Sequence, residues 1–257
     1  MVQDLSAALV WYLYCDDRFS WESVFYRQLG KLSTQISSNL ISEVHILVKS
    51  SANSQYQALS ESLKLVLSSV PVLIRFLPLV EDDPDCSEYA AISYIHENAS
   101  LIGKPILYMH LKGISYIRED FRYLCSLEWG DFLEWALLEN LSSNLISLAS
   151  GGDVLGCNLG RYFYKGELRT SFEGNFWIAK PCHIAALPCP VCPSVLMSKY
   201  GLDAKQTWRL YYEAWVTSAA KKLYLNAYKS HSIHNLGFHY SHRFARSQYP
   251  ETKRANI

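Results

Sequence analysis

The chain has 257 residues, 49% of them hydrophobic and 19% charged, with 24 lysines and arginines against 24 aspartates and glutamates. That balance excludes an intrinsically disordered chain, and a formal net charge of zero gives no electrostatic footprint for nucleic acid. The length suits one large α/β domain or two small ones, and the reading taken is one domain over residues 1–257.

Ala7 to Cys15 is a continuous apolar and aromatic run, the pattern of a strand buried on both faces. It is short, no basic leader precedes it and acidic residues follow at once, so it reads as a first strand and not as a signal peptide. No run reaches the length of about 20 residues that a membrane-spanning helix needs, so no transmembrane segment is expected. Seven cysteines, an odd number scattered through apolar segments, fit reduced thiols in the cytoplasm better than a disulfide framework.

Ser20-Trp21-Glu22 has the form of an N-cap opening a helix through about Ile36. Glu43 to Lys49 repeats the strand signal, Tyr56 to Leu67 has helical spacing of its apolar residues, and Pro71 to Leu79 is a third strand. After the acidic stretch Glu81 to Asp85 come a helix from Ser87 to Glu97, a strand from Pro105 to His110, and one long or two short helices between Asp120 and Ala149. Strands alternating with helices need crossover connections, so a mainly parallel α/β sheet covered on both faces is predicted. From Gly151 the pattern changes to shorter strands at Asp153 to Asn158 and Thr170 to Ala179. A Pro- and Cys-rich loop at 188–193, a helix from Lys205 to Ser218 and a His- and Tyr-rich tail complete the chain. Residues 1–118 are read as a nucleotide-binding half and 119–257 as a mixed half for the second substrate, with one sheet running through both.

The stretch PILYMHLKG at 105–113 ends an apolar strand on His110, Lys112 and Gly113. In open α/β sheets ligands sit beyond the carboxyl ends of the strands. There Lys112 offers a point charge, His110 a ring donor and Gly113 close backbone approach, a set suited to an anion such as a diphosphate. An ordinary turn with a solvated lysine and a core histidine fits the same residues.

YMHLKG at 108–113 resembles the Tyr-x-His-x-Lys-Gly signature of a family of bacterial, algal and viral glycosyltransferase-like proteins. Further stations of that family follow in order: VWYLYCDD near the start, Ser87-Glu88-Tyr89, Trp129 with Phe132 and Leu133, Asp153 with Gly156 and Asn158, Gly174-Asn175-Phe176-Trp177, Arg209 with Glu213 and Trp215, and His239-Tyr240. Leu111, Glu173 and Ile178 depart from the family pattern. The resemblance implies a GT-A-like fold with a nucleotide-sugar donor on the first half and a glycan acceptor on the second. The activity implied is a hexosyltransferase of polysaccharide biosynthesis, using a donor such as a UDP-sugar. Metal-dependent members of that fold carry Asp-x-Asp where this chain has His110-Leu111-Lys112, so Lys112 and His110 are expected to hold the leaving diphosphate. No cofactor is then required, and a divalent metal is not favoured. Asp83-Pro84-Asp85 spells the same motif in an acidic loop, where a solvated turn is the reading taken.

Inverting transfer needs a carboxylate base. Glu213 and Asp153 are the candidates, Glu213 preferred. For Glu213 a surface pair with Arg209 one turn earlier is the competing reading, and for Asp153 a turn or cap role. Glu88, Tyr89 and His239 are assigned to the donor, although a helix-start preference also explains Glu88, and His231, His234 and His242 make a solvated histidine cluster an alternative for His239. Gly174, Asn175 and Trp177 are assigned to the sugar, the indole by stacking, with core packing as the alternative for at least one of Phe176 and Trp177. Cys182-His183 and Cys189-x-x-Cys192 contain zinc-ligand residue types, but the prolines at 188, 190 and 193 already account for a rigid loop. An inert nucleotide- or sugar-binding module of a glycan-assembly complex is the alternative function.

Overall fold

The computed structural model describes residues 5–15, 21–50, 53–78, 87–112, 121–164, 167–200, 205–219, 223–228 and 242–251. The first half alternates as expected: β1 (Ala7–Cys15), α1 (Trp21–Ser37), β2 (Ile41–Ser50), α2 (Asn53–Val66), β3 (Val72–Pro78), α3 (Ser87–Ile102) and β4 (Ile106–His110). These four strands are parallel, β1 pairing with β2 on one side and β4 on the other. In α1 the buried residues Trp21, Val24, Phe25, Gln28, Leu29, Leu32 and Ile36 recur at three- and four-residue spacing, which lays one stripe on the sheet.

The second half extends the same sheet. α4 (Phe121–Glu134), a π-helical turn at Trp135–Glu139 and α5 (Leu141–Ala149) occupy the predicted long helical stretch and are followed by β5 (Val154–Cys157). A hairpin of β6 (Leu159–Tyr164) and β7 (Glu167–Phe172) stands apart as a two-stranded sheet. β8 (Trp177–Ala179) then inserts antiparallel between β4 and β5, and β9 (Tyr224–Tyr228) closes the edge parallel to β5. Among the described residues the fold is therefore α/β with a mixed, mostly parallel seven-stranded sheet in the order β3-β2-β1-β4-β8-β5-β9.

Successive residues of β1 face opposite sides, as the strand period requires. Leu9, Trp11 and Leu13 join the core under α1, α4 and α5, whereas Ala8, Val10 and Tyr12 join the core under α3, α6 (Pro181–Ala185) and α8 (Lys205–Trp215). Among the described residues no helix is long and apolar enough to cross a membrane.

The structure revises two expectations and adds elements where none was read. The single strand expected over Thr170–Ala179 is broken at Glu173–Asn175 by a 3-10 turn in which Gly174 has φ 83° and Asn175 φ 53°. Strands β6 and β9 and helix α7 (Pro193–Tyr200) lie in stretches read as loop or tail. Their patterns are short, and proline at 193 opens a helix here, its missing N–H costing nothing at the first position.

Candidate functional site

The chain leaves β1 toward β2 on one side and returns through α3 to β4 on the other, so the strand order reverses between β1 and β4. The crevice outside their carboxyl ends is where open α/β sheets place ligands. His110, paired with Tyr12 of β1, is the last residue of β4 and stands at that lip.

His110 is wired into a wall. Its Nε2 lies 3.0 Å from the carbonyl oxygen of Gly174, and because a carbonyl only accepts, the ring proton sits on Nε2. Glu88 Oε1 is 3.6 Å from the same nitrogen. The other oxygen of Glu88 accepts from Asn175 Nδ2 at 2.8 Å, and Asn175 Oδ1 accepts from the Trp177 indole N–H at 3.1 Å. Glu88, His110, Gly174, Asn175 and Trp177, five of the residues singled out in the sequence, thus form one continuous network. The 3-10 turn makes it possible. A side chain at 174 would put its Cβ 2.4 Å from Leu133 Cδ1, so the position needs glycine for space as well as for its φ. Asparagine at 175 tolerates the left-handed backbone and both donates and accepts.

Lys112, two residues beyond the strand, is only 5% exposed. Its side chain makes no hydrogen bond or ion pair with the described residues. Its stem is buried while the ammonium is not among the atoms closed off from solvent, so the tip is a cation that an anion in the crevice can reach.

A second layer, not foreseen from sequence, fixes the strand end from below. Gln28 is fully buried, accepts from the Trp11 indole N–H at 2.8 Å, and donates through Nε2 to the His110 carbonyl at 3.0 Å and to Glu134 Oε1 at 2.9 Å. Glu134, itself fully buried, receives a two-pronged pair from Arg27 at 2.8 and 2.7 Å and the Lys31 ammonium at 2.8 Å. Burial disfavours both cations, yet Glu134 outweighs it and holds the Arg27 and Lys31 pKa values above their ordinary positions. The one sequence signal for this layer was a glutamine inside the apolar stripe of α1.

Other assignments change. Asp153 precedes β5, which runs parallel to β4, and Val154 shares its level with Ala179 and Ile106. It therefore sits at the opposite sheet edge from His110, roughly 16 Å away along the strands. There Asp153 Oδ2 accepts from Leu223 N at 3.0 Å, tying β9 in place, the turn role that its sequence position also allowed. Trp177 is completely buried with its ring 5.2 Å from Tyr108, so it presents no face for stacking on a sugar, and Phe176 is buried too. Glu88 has its carboxylate turned to His110 and Asn175, which makes it part of the wall. Tyr89 is half-buried with its ring 5.8 Å from Tyr212, which brings the adjacent pairs Glu88-Tyr89 and Tyr212-Glu213 together across α3 and α8. Gly113 and His239 lie outside the described residues, as do Asp83 and Asp85.

The cysteine-histidine cluster separates. His183 is buried and its Nε2 lies 2.7 Å from the Val216 carbonyl, while Cys182 and Cys189 are exposed. Among the described residues no three His, Cys, Asp or Glu side chains converge as a metal site. Comparison with known proteins finds no family model that matches the chain and no matching relative among curated proteins.

Proposed function

We propose that the protein is a glycosyltransferase of GT-A-like fold that moves a sugar from a nucleotide-sugar donor to a glycan acceptor, with inversion and without a metal. The observation that carries this reading is Lys112, its stem buried at the switch point between β1 and β4, two residues beyond the wall formed by His110, Glu88 and Asn175. The seven-stranded order with an antiparallel strand beside β4 supports it by joining the nucleotide half and the acceptor half in one sheet.

In this reading the donor diphosphate lies over the end of β4. The acceptor hydroxyl attacks the anomeric carbon, the bond from that carbon to the phosphate oxygen breaks, and the hydroxyl proton passes to Glu213. Lys112 stabilises the charge that develops on the departing nucleoside diphosphate, a contact worth most where water is excluded. His110 donates Nε2–H to Gly174 and so fixes the wall beside the phosphates.

The inert-module reading is favoured by one observation: Glu88 and the His110 Nε2–H both serve the wall and not an open site. Incubating the protein with a panel of nucleotide-sugars and following nucleoside diphosphate release, with and without chelator, separates the two. A transferase releases nucleotide from at least one donor in both conditions, and an inert module releases none.

A further inference from the structure

The Arg27 guanidinium does more than hold Glu134. It pairs side-on, Nε donating to Glu134 Oε2 at 2.8 Å and Nη2 to Oε1 at 2.7 Å. A guanidinium carries five N–H donors in a fixed fork, so this pairing uses two and leaves an outer edge with one hydrogen on each terminal nitrogen. Arg27 makes no other hydrogen bond among the described residues, and its side chain is 26% exposed.

Gly130 of α4 marks where that guanidinium lies. Arg27 Nη2 is 3.1 Å, and Lys112 Cβ 3.5 Å, from the point at which a side chain at 130 would begin; the Lys112 carbonyl is 3.4 Å from it. Glycine weakens a helix relative to alanine, and here it lets α1 and the chain beyond β4 approach the same spot. Gln28, next to Arg27, donates to the His110 carbonyl at 3.0 Å, which sets the height of the guanidinium at the carboxyl end of β4. Arg27 and Lys112 therefore meet across Gly130 on the α1 side of the crevice, and the wall of His110, Glu88 and Asn175 stands on the α3 side.

The two cations differ in kind. Lys112 is a point charge, whereas the outer edge of Arg27 is a planar fork that matches two oxygens of one phosphate. Glu134 offsets Arg27 only in part, because Lys31 draws on the same carboxylate at 2.8 Å. A ligand suited to both cations carries two adjacent phosphates, one for each.

We infer that Arg27 is the second cation of the Lys112 site and that together they select a pyrophosphoryl group over a single phosphate. The donor is then a nucleoside diphosphate sugar and not a nucleoside monophosphate sugar. Naming a sugar donor rests on the glycosyltransferase reading; the recognition of two linked phosphates does not.

The test titrates inorganic pyrophosphate, uridine diphosphate and uridine monophosphate calorimetrically into the full chain, for the wild type, Glu134→Gln, Arg27→Gln/Glu134→Gln and Lys112→Ala. The double variant removes both members of the pair and leaves no buried carboxylate behind, while Lys31 keeps Asp131 and Glu139. Glu134→Gln alone disturbs the same network but keeps the guanidinium fork. The wild type is expected to bind the diphosphate roughly tenfold tighter than the monophosphate. Relative to Glu134→Gln, the double variant should lose roughly fivefold in affinity for pyrophosphate and uridine diphosphate, with the monophosphate nearly unchanged. Arg27→Lys, which keeps a cation for Glu134 and loses the fork, decides in the same way where thermal melts show the double variant unfolded. Equal wild-type affinity for the two nucleotides, or equal diphosphate affinity with and without the Arg27 guanidinium, overturns the inference; if Lys112→Ala still weakens nucleotide binding, the transferase reading survives that failure. Pyrophosphate binding that needs both cations, without nucleotide binding, supports the paired cations and sinks the transferase reading. No binding of any of the three ligands by the wild type overturns both.

Discussion

Glu88 and Asn175, 87 residues apart in the chain, are joined by a 2.8 Å hydrogen bond that ties the first turn of α3 to the turn before β8. Because Asn175 also holds the Trp177 indole, the pair couples the switch-point crevice to the strand that inserts beside β4. Asn175→Ala leaves the buried indole N–H without its acceptor and puts alanine at a left-handed φ, so a loss of about 2–4 kcal/mol is expected in chemical denaturation. Glu88→Ala costs less, and the double variant costs less than the sum. Strict additivity in that double-mutant cycle counts against the contact.

Glu134 is a buried carboxylate facing two cations. Glu134→Ala strips Arg27 of its two-pronged partner and leaves Lys31 with Asp131 and Glu139, and removing one partner of a buried pair costs about 3–5 kcal/mol. Denaturant midpoints measure this. A loss below about 1 kcal/mol means that the network is not what holds α1 against α4.

Acid lability should come in two stages. Burial lowers the pKa of His45 more than Glu43, with Oε1 2.8 Å from Nε2, raises it; the Tyr94 hydroxyl faces the other nitrogen at 2.6 Å. A depressed histidine gives stability that is complete above the unfolded value near 6.5 and lost as pH falls through the lower folded value. Burial pushes the Asp131 carboxyl up, but Lys31, Tyr249 and Arg246 outweigh it and leave it lowered, so its contribution is complete above about 4 and lost in stronger acid. Lys31 is raised, so its share persists until the pH climbs beyond its ordinary value of 10.5. Thermal melts should be flat from about pH 7 to 10, fall below about 6.5 and fall again below about 4. His45→Gln should delete the first stage only, and an unchanged first stage refutes the assignment.

Cys192 precedes α7, and its sulfur lies 3.1 Å from the Ser194 hydroxyl. That contact and the Val195 backbone N–H lower its pKa, whereas burial raises that of Cys157 far above the usual thiol range. Iodoacetamide at neutral pH should label Cys192 first and leave Cys15, Cys125 and Cys157 untouched in the native protein. Peptide mass spectrometry over time decides it, and early labelling of Cys157 is the contrary result.

Much of the first half was legible because β1 to β4 and the helices between them follow clean periodicities, and topology then puts His110 at the crevice. The His110, Glu88 and Gly174–Trp177 segments were each singled out in the sequence, but what joins them was hidden. A single strand was expected where Gly174 and Asn175 turn the chain, and that turn aims Asn175 at Glu88. The distance of Asp153 from His110 was hidden because a one-dimensional pattern does not say at which end of the sheet a strand begins. Glu134, Arg27 and Lys31 read as ordinary helix charges, since nothing local says that Glu134 meets two cations more than 100 residues earlier in the chain.

The central claim is that Lys112 binds a diphosphate at the mouth of β4, and titration calorimetry of nucleoside diphosphates into wild type and Lys112→Ala tests it most directly. Removing an ammonium with no partner among the described residues orphans no protein group, so the ligand-free melting temperature should hold. Affinity is predicted to fall about 30-fold, or about 2 kcal/mol. Equal affinity in the two proteins contradicts the account.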